Sequence, residues 1–156
     1  LVDDLRTAGA SVTVHACDVT DRTSVEAAIA GKSLDAVFHL AGRHQPTLLT
    51  ELEDESFSDE LAPKVHGAQV LSDITSNLTL SAFVMFSSVA GIWGGKSQGA
   101  YAAANAFLDS LAEKRRTLGL PATSVAWGLW AGGGMGDRPS ASGLNLIGLK
   151  SMSADL

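Results

Sequence analysis

Apolar residues along the chain fall into two alternating kinds of stretch. Residues 11–17, 35–40, 82–87 and 123–127 are short runs rich in β-branched or aromatic side chains, the length and composition of buried strands. Residues 24–30, 49–78 and 101–118 instead carry apolar side chains at spacings of three and four, the helical period. Leu1, Val2 and Leu5 share one helical face, with Gly9 as a stop signal. Strands alternating with helices of this length predict βαβ units and a parallel sheet, because a strand reaches a parallel neighbour only through a crossover of a dozen or more residues. The glycine-rich residues 128–136 read as a mobile loop after the last strand, and residues 151–156 as the start of a further helix. Open α/β sheets bind ligands at the carboxyl ends of their strands. That rule points to Asp18, Ala41–Gly42, Ser87–Ser88 and Trp127–Gly128.

Composition narrows the class. The 156 residues are 46% hydrophobic and 18% charged, a globular balance that fits one domain. A net charge of -6 counts against a nucleic-acid backbone as partner. Cys17 is the only cysteine, so no internal disulfide forms, which suits a reducing, cytoplasmic setting. No apolar run approaches the roughly 18 residues of a membrane span, and no basic-then-apolar leader opens the chain. His15, His39, His44 and His66 have no metal-ligand spacing with one another or with Cys17, so no metal site is expected. A helical pattern already under way at Leu1, with no initiator Met, suggests an excerpt from a longer polypeptide.

The chemistry concentrates between Phe86 and Arg116. Ser88 follows a strand, and Tyr101, the only tyrosine, opens a helix thirteen residues later. Asn105 lies one turn on and shares a face with Tyr101. A phenol is a poor acid near neutrality unless a cation stabilises its phenolate. Given one, a hydroxyl such as Ser88 could hold a carbonyl oxygen while Tyr101 protonates it. A lone Ser and Tyr are otherwise ordinary capping and packing residues, and the surrounding sequence decides between the two.

That surrounding sequence resembles the short-chain dehydrogenases/reductases and, among them, the ketoreductase domains of modular type I polyketide synthases. These carry Tyr-x-x-x-Asn where most short-chain reductases carry Tyr-x-x-x-Lys, and take their lysine from an earlier Pro-Lys-Val-x-Gly-Ala segment. Here it stands as Pro63-Lys64-Val65-His66-Gly67-Ala68. Cys17-Asp18-Val19-Thr20-Asp21, His39-Leu40-Ala41-Gly42, Leu120-Pro121-Ala122 and Trp127-Gly128-Leu129-Trp130 match as well, in the right order.

The resemblance implies NADPH-dependent reduction of a β-ketoacyl thioester held by an acyl carrier protein, alongside neighbouring synthase domains. Tyr101 would be the general acid and Ser88 would bond the same oxygen. Lys64 would hold the nicotinamide ribose and favour the Tyr101 phenolate, with Asn105 supporting the lysine and a proton-relay water. Asp18 and Val19 would lie against the adenine, Ala41 and Gly42 along the ribose, Gly128 and Leu129 on the nicotinamide side. Without the resemblance, Lys64 reads as a solvated helix lysine and Asp18 as part of a helix cap. Two other readings stay open: a catalytically silent structural ketoreductase subdomain, and an extended short-chain epimerase, against which Asn105 counts.

Stereochemistry is implied by the same resemblance. Ketoreductases of one stereochemical type carry Leu-Asp-Asp where this chain has His44-Gln45-Pro46. The opposite, A type carries a tryptophan eight residues before the tyrosine, as Trp93 is here. Gln98, three before Tyr101, favours the A1 subclass, and the product would be the L-β-hydroxyacyl chain. The alternative is that Trp93 is a packing residue with no stereochemical role. Residues 131–143, with Met135 near the substrate, would lead into a lid that Gly132–Gly134 allow to swing. The basic run Lys114-Arg115-Arg116 reads as a solvated helix end, with a docking patch for the carrier protein as the alternative.

The expected fold is a doubly wound, Rossmann-like parallel sheet of order 3-2-1-4-5-6-7, in which the four runs are strands 3 to 6. No glycine-rich pyrophosphate turn precedes Leu1. Residues 1–156 are therefore expected to be the C-terminal part of one catalytic domain, whose nucleotide-binding half supplies strands 1 and 2 between the first and second runs. Expressed alone, these residues should give no cooperative, monomeric melt, which calorimetry with size-exclusion chromatography checks.

Overall fold

A computed structural model describes residues 1–131 and 150–153. Three parallel strands form the sheet in the order β1-β2-β3: β1 (Ala36–His39), β2 (Ala82–Ser88) and β3 (Thr123–Trp127). Ala36 pairs with Ala82 and Val84 with Thr123. Ahead of the sheet come α1 (Val2–Thr7) and α2 (Arg22–Ile29). The crossover from β1 to β2 is α3 (Asp54–Ala62), a π turn (Pro63–Gly67) and α4 (Ala68–Ile74). The crossover from β2 to β3 is α5 (Ala90–Trp93) and α6 (Gly99–Thr117). The parallel α/β architecture is the one the hydrophobic pattern predicts.

β2 shows why the core has one side. Phe83, Met85 and Ser87 are buried while Ala82, Val84, Phe86 and Ser88 are only partly covered, the period-two alternation of a strand. Phe83 and Met85 pack with Ala68, Leu80, Leu108, Leu111 and Ala112. On β1, Val37 joins that core, whereas Phe38 and, just beyond the strand, Leu40 are 62% and 58% exposed.

Arg115 fastens this core. Its guanidinium lies 3.9 Å from the centroid of the Phe83 ring. Nη1 donates to the Ser72 carbonyl (3.1 Å) and to Ser72 Oγ (3.0 Å), and Nε to the Pro121 carbonyl (3.3 Å). One side chain thus joins α6, α4, β2 and the approach to β3. The basic run is therefore only partly the solvated helix end expected from its charge: Lys114 and Arg116 are exposed, and Arg115 is 1% exposed.

Four further expectations are corrected. Residues 11–17 form no strand, because no strand among the described residues lies beside them and a strand exists only through its ladder. The helical stretch expected over residues 49–78 begins at Asp54, ends at Ile74 and is interrupted at Pro63. Proline lacks the N–H of an α-helical bond and crowds the preceding turn; the chain answers with a π turn. The helix expected to open at Tyr101 starts two residues earlier, at Gly99. The helix expected from Ser151 is not seen at residues 151–153, where Met152 bridges Trp130 in parallel instead. That bridge also pins the start of the expected mobile loop, Met152 N–H donating to the Leu129 carbonyl at 2.8 Å. Residues 132–149, including Gly132–Gly134 and Met135, lie outside the described residues.

Arg115→Leu should lower the stability of the folded domain by about 2–3 kcal/mol, since it strips Ser72 and Pro121 of a buried donor. Denaturant midpoints of parent and variant measure this.

Candidate active site

The site is built around a buried lysine. The π turn opens at Pro63 and carries Lys64, which is 3% exposed. Its Nζ donates to the Phe86 carbonyl at 2.6 Å. The side chain crosses directly over Gly42, where an added Cβ would come within 2.9 Å of Lys64 Cε, so a side chain there would push the end of the lysine from its present path. On the same turn Gly67 meets Val19, whose Cγ1 would be 2.5 Å from an added Cβ. Gly42 and Val19, from two separate loops, are therefore both seated against the π turn. Burial pushes the Lys64 pKa down to about 8, with Asp109 opposing the shift. Beside it, burial and the Lys64 charge push His39 down to about 4.

Tyr101 and Asn105 occupy one face of α6, as their spacing predicts. Asn105 Nδ2 donates to the Tyr101 carbonyl at 2.7 Å, and Ser87 Oγ donates to the Asn105 carbonyl at 3.1 Å. Lys64 Nζ lies 6.0 Å from the Tyr101 ring centroid. Ser88 closes β2 two residues beyond the lysine's acceptor, its Oγ accepting from the Ala90 N–H at 3.2 Å. Lys64, Tyr101 and Asn105 are thus drawn together, with Ser88 at the same end of β2.

The remaining candidates are more scattered. Asp18 is exposed and accepts from the Thr20 N–H (2.9 Å) and Thr20 Oγ (2.8 Å), bonds that lower its pKa. The α2 cap is Asp21, not Asp18. Ala41 is exposed and Gly42 partly buried just after β1; Gly128 and Leu129 are partly buried just after β3. Trp93 ends α5 and is 67% exposed. Gln98 stands at the N-terminus of α6 and leans over Gly95. Neither Trp93 nor Gln98 is held against Tyr101 by any described contact.

Two residues that the sequence reading did not assign to the site adjoin Tyr101 directly or through one neighbour. The His44 ring lies 4.5 Å from the Tyr101 ring, centroid to centroid, tilted by 40°. His44 Nδ1 is 3.1 Å from Glu60 Oε1, and Glu60 is 4% exposed. The available signal was Glu60 itself, a carboxylate on the helix face shared by Phe57 and Lys64.

The site also has acceptor and donor capacity to spare. Asn105 Oδ1 and Trp127 Nε1 are buried without a hydrogen-bond partner among the described residues, which is unusual for a finished interior. Together with the lysine and the bare backbone at Gly42, they fit a ligand rich in hydroxyl and amide groups, as the ribose and carboxamide of a nicotinamide cofactor are.

Known proteins resemble this chain in sequence and in fold. The family model described as the KR domain matches residues 1–132. The chain belongs to that family. Its solved counterparts include the first ketoreductase of the tylosin PKS, 48% identical at a TM-score of 0.93 over 99% of this chain and 34% of that one. An A1-type ketoreductase is 39% identical at 0.92, over 98% of this chain and 33% of that one. Among sequences, the pikromycin polyketide synthase component PikAIII of Streptomyces venezuelae is 46% identical over 99% of this chain, which spans 10% of that protein. Erythronolide synthase EryA3 of Saccharopolyspora erythraea is 42% identical, again over 99% of this chain and 5% of its own length. This KR domain is thus of the modular polyketide synthase kind, and the chain spans about a third of the solved ketoreductases it matches.

Lys64→Met should stabilise the KR domain while removing its cation. Lowering the pKa from 10.5 to about 8 corresponds to roughly 3 kcal/mol against the buried ammonium, offset in part by about 1 kcal/mol for the lost bond to Phe86. The folded-state pKa is depressed, so between pH 8 and 10.5 the unfolded chain holds the extra proton and the parent gains stability as pH rises. The advantage of the variant should be constant below pH 8 and shrink across that window, as thermal melts in a pH series would show.

Proposed function

We propose that this KR domain reduces the β-ketone of an acyl chain, tethered as a thioester to an acyl carrier protein, to the L-β-hydroxyacyl product with NADPH. The observation that carries the reading is the buried Lys64 ammonium beside Tyr101, with Asn105 behind it and Ser88 at the same strand end. The family and the polyketide synthase relatives support the substrate class and the carrier and synthase domains as partners. A cytoplasmic multienzyme fits them too. Among the described residues no helix is long and apolar enough to cross a membrane.

In this reading Ser88 Oγ hydrogen-bonds the ketone oxygen and Tyr101 gives it a proton as the carbon becomes tetrahedral. Bound NADPH supplies the hydride that this carbon accepts. Lys64, with its pKa near 8, is about nine-tenths protonated at pH 7 and steadies the phenolate that Tyr101 leaves behind. The unpartnered Asn105 Oδ1 can hold a water through which Tyr101 regains its proton. Lys64 would hold the nicotinamide ribose, Ala41 and Gly42 would lie along the ribose, Gly128 and Leu129 would line the nicotinamide side, and Asp18 and Val19 would lie against the adenine.

The reading includes an upstream half that supplies the pyrophosphate turn and the missing strands. Its support is the outer edge of β1, unpaired among the described residues, with Phe38 on that strand and Leu40 just beyond it exposed. The A1 assignment rests on Trp93, Gln98 and the absence of Leu-Asp-Asp, and solved A-type and A1-type ketoreductases are among the similar structures.

The test is reduction of a racemic α-methyl-β-ketoacyl thioester by the KR domain within its full polypeptide, with chiral analysis of the product. An L-hydroxy product is expected, and Tyr101→Phe should lower turnover by about 10²–10⁴-fold. A D-hydroxy product would keep the reductase and remove the Trp93 argument. NADPH binding without turnover would mark a silent structural domain.

A further inference from the structure

The proposed proton transfer leaves one buried ionisable pair without a task. Glu60 and His44 are 4% and 8% exposed, and a carboxylate so placed is costly unless well bonded. Glu60 Oε1 meets both His44 Nδ1 (3.1 Å) and the Gln45 N–H, which donates at 3.3 Å. The neighbouring pair, Arg43 Nη1 to Asp59 Oδ2 at 3.3 Å, repeats the link one residue earlier on each element. At the far end of the same loop the Thr47 N–H donates to the Ser97 carbonyl at 3.1 Å. Loop 43–47 is therefore strapped to α3 at one end and to the approach of α6 at the other. The strap sets one ring in place: the His44 imidazole lies 4.5 Å from the Tyr101 ring, while Lys64 Nζ is 6.0 Å from that ring's centroid.

Resting on the reading of Tyr101 as the proton donor, we propose that Glu60 and His44 are positioning residues, the carboxylate fixing the imidazole and the imidazole fixing the phenol ring. Stability alone does not account for the pair, since well-packed apolar residues commonly replace a buried ion pair at no loss. What apolar residues lack is a directional bond that sets the plane of the ring. Hydrogen bonding at Nδ1 removes the imidazole's rotational freedom, and the tilted ring contact passes that restraint to Tyr101. Phenol misplacement of about 1 Å is enough to cost on the order of a hundredfold in rate.

Two variants in the full polypeptide test this. In His44→Leu/Glu60→Leu no buried charge is left unpaired, so the domain should fold with a melt near the parent's. Its kcat should fall by about 10–100-fold while KM for the ketoacyl thioester and Kd for NADPH stay within about threefold. Glu60→Gln keeps an oxygen acceptor for His44 and should stay within about threefold of the parent kcat. A readout free of turnover is ¹⁹F NMR of 3-fluorotyrosine placed at position 101. It should give one sharp resonance in the parent and Glu60→Gln, and a broadened or split signal in the double variant. A sharp, unmoved fluorine signal in the double variant would overturn the positioning role. So would a drop in Glu60→Gln as deep as in the double variant. If the parent reduces no β-ketoacyl thioester, the proposed reaction fails, while the fluorine spectra still decide whether the pair holds the ring.

Discussion

A single buried ammonium sets the terms for this site. Lys64 is carried inward by the π turn that opens at Pro63, and its side chain crosses over Gly42 on the way to the Phe86 carbonyl. An adjacent proline and lysine and a distant glycine thus meet in one arrangement. Burial lowers the affinity of Lys64 for its proton without removing the charge at neutrality. The domain accepts a less stable interior in exchange for a cation that solvent does not screen.

Around that cation, α6 and β2 behave as a rigid pair. Tyr101 and Asn105 are four residues apart on a nineteen-residue helix, so their relative placement follows from helix geometry alone. Ser87, facing the core, bonds the Asn105 carbonyl, and Ser88, facing away, ends the strand. Adjacent serines on opposite faces let one fasten the helix while the other stays available at the strand end.

Much of this was legible in the sequence, and the rest was hidden for identifiable reasons. The parallel sheet, the pairing of Tyr101 with Asn105 and the link between Lys64 and the site follow from periodicity, i+4 spacing and a family motif. The four-strand count failed at residues 11–17 because strand formation depends on a neighbour, which no local pattern encodes. Arg115 looked solvated because its charged neighbours are; only tertiary packing shows the cation lying on Phe83. Glu60 and His44 are sixteen residues apart on different elements, beyond the reach of any helical or strand period. Both hidden features join polar groups across elements, where contact depends on topology.

Arg115 has one more consequence, for the salt and acid tolerance of the core. Among the described residues its hydrogen-bond partners are two carbonyl oxygens and a hydroxyl, with an aromatic face beneath, and none of them is a carboxylate. Dipoles do not titrate, and ions in solution do not exchange with them. The fastening that holds α6 to α4 and the sheet therefore stays engaged across conditions that would neutralise or screen the domain's surface ion pairs.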